Sequence, residues 1–575
     1  MVRFLSLCLA LVLGLSSTGQ AQTSQNVMSP RAAGVAPWLG MNLTELRDFH
    51  PQRPFIDVMK QSRDWLGHLP GQWGGWTEAD LRAAGVLDEN GWPRFVPAEL
   101  EGISALILVD LKPDAGGVAG TYRVTYEGEG ELFIEGRVGT VRRLGPREMW
   151  FTYTPGEGLV QLIIRRTDAA NPIRNIKVVH ESHIAAFDRG ETFNPDWLAR
   201  MDGMAVFRFM EWTNTNYTKN RTWEDRPRLE HYTWTPNGVP LEVMIRLANE
   251  TGVEPWFVMP HLVDDEYMEA AATLIRDTLR PDLRAWIEYS NETWNWGFQQ
   301  AHDIRDFAQE RWGDGNLWQE WYAMRSTQMV QIFNRVFEGQ EDRLVRVLAT
   351  QTGWLGLEEQ LEAKRWQRED PANPAPPTLF DVYAITGYFS ALAGYPEKAP
   401  TVKRWLDDAR RQAEAEGRAQ GLGGVRLDDY IRTASHEALT PKLIEEIRDG
   451  RHTGKPEDSV KDYLARVLPH HVRFAQKWEL DLVAYEGGSH LVGVGEHMWD
   501  EQLADLFIHV NYTQGMADLY TEILTGWVKA GGGTFVHFSD IRVPAVWGSF
   551  GALRHLTDQN PRWDALVSFD PTKVR

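Results

Sequence analysis

IEYSNETWNW, residues 287–296, begins as a strand and ends as something else. The run RAWIEYSNE (284–292) is apolar at its centre and then closes on an amide followed by an acid, Asn291-Glu292, amid aromatic residues. An ionised carboxylate at the end of an apolar strand is costly unless it is paired, solvated or used. Whether Glu292 is a surface residue or a chemical one depends on what the rest of the chain builds around it.

Outward from this stretch, strand-like and helix-like runs alternate from about residue 193. Further strands are predicted at MAVFRFMEW (204–212), PWFVMPH (255–261), LVRVLATQTG (344–353), FDVYAITGYF (380–389), LDLVAYEGG (480–488) and TFVHFSD (534–540). LGMNL at 39–43 makes eight. Most intervening segments have helical spacing, as in Met329, Ile332, Phe333 and Val336. Eight strands alternating with helices predict a closed (β/α)8 TIM barrel. An open doubly wound sheet is the alternative, but no Gly-rich phosphate fingerprint follows any strand.

Between 96 and 182 the period changes to two. In TYRVTYEG, Tyr122, Val124 and Tyr126 fall on one face, Arg123 and Thr125 on the other, and ELFIEG, MWFTYT and LVQLIIRR repeat the pattern between Gly and Pro turns. A β-sandwich module inserted between the first and second barrel strands is expected. The predicted layout is a signal peptide over 1–21, a Ser/Pro/Ala-rich linker over 22–36, the start of the barrel over 37–95, the sandwich over 96–182 and the remainder of the barrel over 183–575. The charged region 390–478 is expected to form an elaborated loop or helical cap beside the barrel mouth.

Composition narrows the class of partner. The first residues, MVRFLSLCLALVLGLSSTGQAQ, have the layout of a secretory signal cleaved after Ala21, which predicts export to the periplasm or beyond. No later apolar run is long enough to span a bilayer, so no membrane insertion is expected. The only cysteine, Cys8, lies inside the signal, so the mature chain is held by its core and not by disulfides. A net charge of −20 argues against nucleic acid and anionic membranes. The 25 tryptophans suit a carbohydrate substrate, because indoles stack on the apolar faces of sugar rings, although many must be core.

In a barrel of this kind, side chains at the C-terminal ends of the strands converge on one mouth. Those ends supply Arg208, His261, Asn291, Glu292, Tyr388 and Glu486, and Trp547 follows the eighth strand. Glu292 on the fourth strand and Glu486 on the seventh face each other across the mouth. A retaining glycosidase needs such a pair, roughly 5 Å apart. Trp294 and Trp296, on the loop after Glu292, could line sugar subsites. Glu288, two strand periods before Glu292, reads as a member of an internal ion pair.

The pattern resembles clan A of the glycoside hydrolases, through the Asn-Glu pair ending strand four, the glutamate of AYEGG ending strand seven, and the Arg, His, Tyr and Trp above. The resemblance implies that Glu292 is the general acid/base and Glu486 the nucleophile, in a reaction that uses no cofactor and no metal. It implies that Glu292 holds its proton at rest while Arg208 and Tyr388 keep Glu486 ionised. Asn291 would then donate to the sugar 2-hydroxyl, His261 would bind a neighbouring hydroxyl, and Trp547 would lie under the ring being cleaved.

Each residue also has a structural reading: Arg208 as an ion-pair partner, His261 as a hydrogen-bonded core histidine, Tyr388 as packing, and the tryptophans as core or loop anchors. His180 with His183, His470 with His471, and His261 with Asp264 and Asp265 lack the spacing of an established metal motif. Two competing functions stay open, a non-catalytic carbohydrate-binding protein on a TIM-barrel scaffold and a metal-dependent hydrolase.

Overall fold

The computed structural model describes residues 38–574. The expected signal peptide and linker lie outside those residues. Among the described residues no helix is long and apolar enough to cross a membrane.

Eight parallel strands close on themselves in chain order. They are β1 (Leu39–Asn42), β2 (Val206–Arg208), β3 (Glu254–Met259), β4 (Ala285–Tyr289), β5 (Leu344–Ala349), β6 (Val382–Phe389), β7 (Asp481–Ser489) and β8 (Phe535–Phe538). The ladder returns from β8 to β1, with Leu39 opposite Phe535 and Asn42 opposite Phe538, which rules out the open sheet. Both faces of these strands are apolar because one meets helices and the other fills the barrel. Among the exceptions are Arg208 and Glu288, which are 0% and 1% exposed.

The helices start and stop where the chain supplies caps. Asp264 accepts a hydrogen bond from the Tyr267 backbone N–H and opens the helix Asp265–Thr278, whose first turn carries Asp265 and Glu266. Asp264 is therefore a helix cap. Met329, Ile332 and Phe333 lie buried on one face of the helix Trp318–Val336, as their spacing predicts.

The ladder between β6 and β7 slips by one residue: Ile385 opposes Ala484, but Thr386 opposes Glu486. Such a bulge re-aims the side chains on its strand. Just beyond it, Gly387 and Gly487 face the ring of Phe535. A Cβ on either would lie 2.3 or 2.4 Å from that ring, so the glycines make room for the phenylalanine under the barrel mouth.

Between β1 and β2 the chain forms two antiparallel sheets. One has four strands (Arg174–His180, Gly120–Glu127, Glu148–Tyr153, Val141–Gly145 in spatial order) and the other five (Gly75–Trp76, Leu66–His68, Gly102–Ile107, Val160–Thr167, Gly130–Gly136). Their strands begin at Leu66, ahead of the expected start at 96. Buried side chains of both sheets share one core, which also takes in Tyr232 from the segment after β2. Tyr122, Val124 and Tyr126 point into it, and Thr121, Arg123 and Thr125 do not.

After β6 the chain runs through two long helices, Ala399–Ala419 and Val425–Asp449, before Leu468–Trp478 leads into β7. Residues 457–467 of this excursion return to the barrel mouth, where the Ser390 hydroxyl donates to the Asp458 carboxylate at 2.7 Å.

Candidate active site

Arg208, at the end of β2, organises the mouth from below. Register places it beside Asn42 on β1 and Trp256 on β3. Its Nε and Nη2 donate to Glu288 at 2.9 and 3.1 Å, and Nη1 donates to Oε1 of Glu486 at 2.8 Å. Nη2 also donates to Oδ1 of Asn291 at 2.9 Å, and Nη1 to Oδ1 of Asn42 at 3.2 Å. Glu288 gains a further hydrogen bond from the Trp256 indole at 2.8 Å, and so is the internal ion-pair partner its position predicts. Arg208 is fully buried, so it acts on the mouth through Glu486 and Asn291.

Above this base lies a cavity of about 480 Å³, lined by Asn291, Glu292, Tyr388, Glu486 and Trp547 among others. Tyr388 donates its hydroxyl to Oε2 of Glu486 at 2.9 Å. Glu292 follows the end of β4 with φ at 41°, in the left-handed region that non-glycine residues seldom occupy, and Ser290 does the same at 60°. Two neighbours hold the carboxylate there: Asn295 Nδ2 donates to Oε2 at 2.8 Å, and the Tyr485 hydroxyl donates to Oε1 at 3.2 Å. An outlier kept in place by such contacts is common at functional sites.

The electrostatics differ from expectation at one point. Arg208 and Tyr388 do contact Glu486, but burial outweighs them and, with the charge of Glu292 adding to it, pushes the Glu486 carboxyl up to about 8. Glu288 is raised as well, first by burial and against the pull of Arg208. One guanidinium shared by two buried carboxylates does not compensate both fully, so Glu486 retains a proton near neutrality. That proton sits among close carboxyl groups that repel one another when charged.

A second cavity, of about 760 Å³, meets the first at Glu292, Asn295, Tyr388 and His490. Its lining includes Trp294, Trp296, Trp354 and Tyr485. Trp294 is buried against Tyr485, with ring centroids 6.2 Å apart, whereas Trp296 is 43% exposed.

The structure thus brings Asn291, Glu292, Tyr388, Glu486, Trp547, Trp294 and Trp296 to one continuous cleft, with Arg208 beneath it. His261 is not among the residues lining either cavity. β3 stops at Met259, and His261 is buried, its Nε2 bonded to Asp303 at 2.8 Å and its pKa lowered chiefly by burial. The histidine pairs weighed as metal ligands have protein partners instead: His183 meets Asp196, His470 meets Glu358, and His471 bonds the Tyr383 hydroxyl.

Sequence reasoning missed Tyr485, Asn295, Trp354 and the wall of the first cavity, where Arg542 bridges Glu45 and Glu211 at 3.1 and 2.9 Å. Trp354 was within reach of the strand-end rule, since it directly follows the predicted fifth strand.

No family model and no curated protein matches the chain. Among solved structures it is similar to AbfB, a family 51 alpha-L-arabinofuranosidase from Bifidobacterium longum, at 11% identity and a TM-score of 0.30 over 62% of this chain. The chain spans 62% of that relative's length. It is also similar to a fungal beta-1,4-galactanase, at 10% identity and a TM-score of 0.30 over 68% of this chain and 97% of the other. Alignments this loose bear on neither family nor substrate. The chain's own closed ladder establishes a (β/α)8 barrel, the fold that the resemblance to clan A glycoside hydrolases implies.

Proposed function

We propose that the protein is an exported retaining glycoside hydrolase that cleaves β-linked poly- or oligosaccharides, with Glu486 as nucleophile and Glu292 as acid and then base. The observation that carries this reading is the pair of carboxylates on one cavity, each held by its own donors, over a buried arginine.

In the first step, once the proton held at Glu486 has passed to Glu292, the ionised Glu486 forms a bond to the anomeric carbon as the glycosidic C–O bond breaks, and Glu292 gives that proton to the departing oxygen. Esterification removes the negative charge of Glu486. Glu292 then takes a proton from water, whose oxygen displaces Glu486 from the sugar. Asn291, oriented by Arg208, donates to the 2-hydroxyl, and Trp547 lies beside the ring. We read the two sheets over 66–180 as a sandwich module that braces the barrel through their shared core with Tyr232.

The test is a screen of β-glucans, mannans, xylans and galactans, with the anomeric configuration of new ends followed by NMR. Retention of configuration, lost in Glu486→Gln and Glu292→Gln, is expected. Binding without release of reducing ends would make the protein a carbohydrate-binding barrel instead, and loss of activity on chelation would point to a metal-dependent hydrolase.

A further inference from the structure

The cleft is divided unequally about Glu292. Glu486 lines only the first cavity, while Glu292 lines both. The sugar that becomes bonded to Glu486 must therefore lie in the first cavity. The group protonated by Glu292 leaves into the second, which is the larger, about 760 against 480 Å³. A leaving group of one small ring would not need such a space.

The second cavity also has a platform. Trp296, on the loop after β4, and Trp354, on the loop after β5, are 43% and 50% exposed, and both line it. Buried Trp318 lies between them, with centroids 5.5 Å from Trp296 and 5.6 Å from Trp354. Two exposed indoles fixed by a common buried ring lose little entropy when a sugar stacks on them. The far wall carries Glu457, Asp458 and Asp462, with Arg466 paired to Asp462 at 2.7 Å. Three carboxyl groups against one cation disfavour an acidic chain.

We propose that the substrate is a chain of neutral sugars cut internally, its leaving portion occupying the second cavity on Trp296 and Trp354. This rests on the glycosidase reading, and the experiment separates the two. Neutral β-glucan, mannan, xylan and galactan would be digested while viscosity and reducing ends are followed together. Internal cutting predicts a steep fall in viscosity before many ends appear. Trp354→Ala and Trp296→Ala should each raise the KM for a hexasaccharide of the cleaved polymer, relative to its trisaccharide, by about tenfold, the scale of one lost stacking contact. Phe at either position should restore part of it.

Monosaccharide release at constant viscosity, or Trp variants with an unchanged hexasaccharide-to-trisaccharide ratio, would overturn this inference and leave a glycosidase. No hydrolysis of any polymer, oligosaccharide or aryl glycoside would overturn the glycosidase reading and this inference with it.

Discussion

Tyr485 donates its hydroxyl to Glu292 at 3.2 Å, so the residue that precedes one candidate catalytic carboxylate on β7 anchors the other, which follows β4. Tyr485→Phe removes this donor and leaves the ring edge-on to Trp294. The expected result is a kcat lower by about tenfold, the worth of a hydrogen bond to a charged group, at unchanged stability. The deficit should widen with poor leaving groups, which depend most on the acid, and a series of aryl glycosides measures it.

Glu292→Gln and Glu486→Gln should fold normally by circular dichroism and lose hydrolysis. Removing a general acid costs about 10²- to 10⁴-fold, and the nucleophile variant should lose at least as much. Azide should restore turnover to Glu486→Ala by taking the place of the missing nucleophile. Rates near those of wild type in either glutamine variant would remove both residues from the proposed roles.

The proton retained by Glu486 sets a pH dependence of stability. Its carboxyl ionises at about 8 in the folded protein against an ordinary 4.5. Between these values the folded state binds more protons than the unfolded one, so this group's contribution to stability is full below about 4.5 and is lost as pH rises through about 8. Thermal unfolding should show a fall in Tm over that window which Glu486→Gln flattens. A wild-type and variant pair with parallel profiles would contradict it.

Arg208→Ala leaves Glu288 and Glu486 buried without their shared cation. Breaking a buried pair in this way costs about 3–5 kcal/mol, readable in urea denaturation. Arg208→Met combined with Glu288→Gln should recover part of the loss, because the second change removes a stranded charge.

Gly487→Ala would push a methyl into the ring of Phe535. Overpacking of this kind costs about 1–3 kcal/mol, and Phe535→Leu should relieve some of it.

The barrel was legible in the sequence because alternation of strand and helix is a local signal repeated eight times. Glu292 and Glu486 were legible because strand ends converge wherever a parallel barrel closes. His261 obeyed the same rule and was misplaced: Pro260 follows the last residue of β3, and the histidine finds Asp303 instead of the mouth. Tyr485 was missed for a different reason. Strict alternation sends it to the face opposite Glu486, and only the slip against β6, a property of two paired strands, brings both side chains to the cleft. The protonation of Glu486 also escaped, because its contacts with Arg208 and Tyr388 follow from position, whereas the burial that overrides them depends on the whole barrel.

That slip has a mechanical consequence. Because Tyr485 and Glu486 are consecutive, any movement of their strand carries the proposed nucleophile and the anchor of its proposed proton donor together. In the proposed reaction a displacement of β7 would act on both carboxylates at once, on Glu486 directly and on Glu292 through Tyr485.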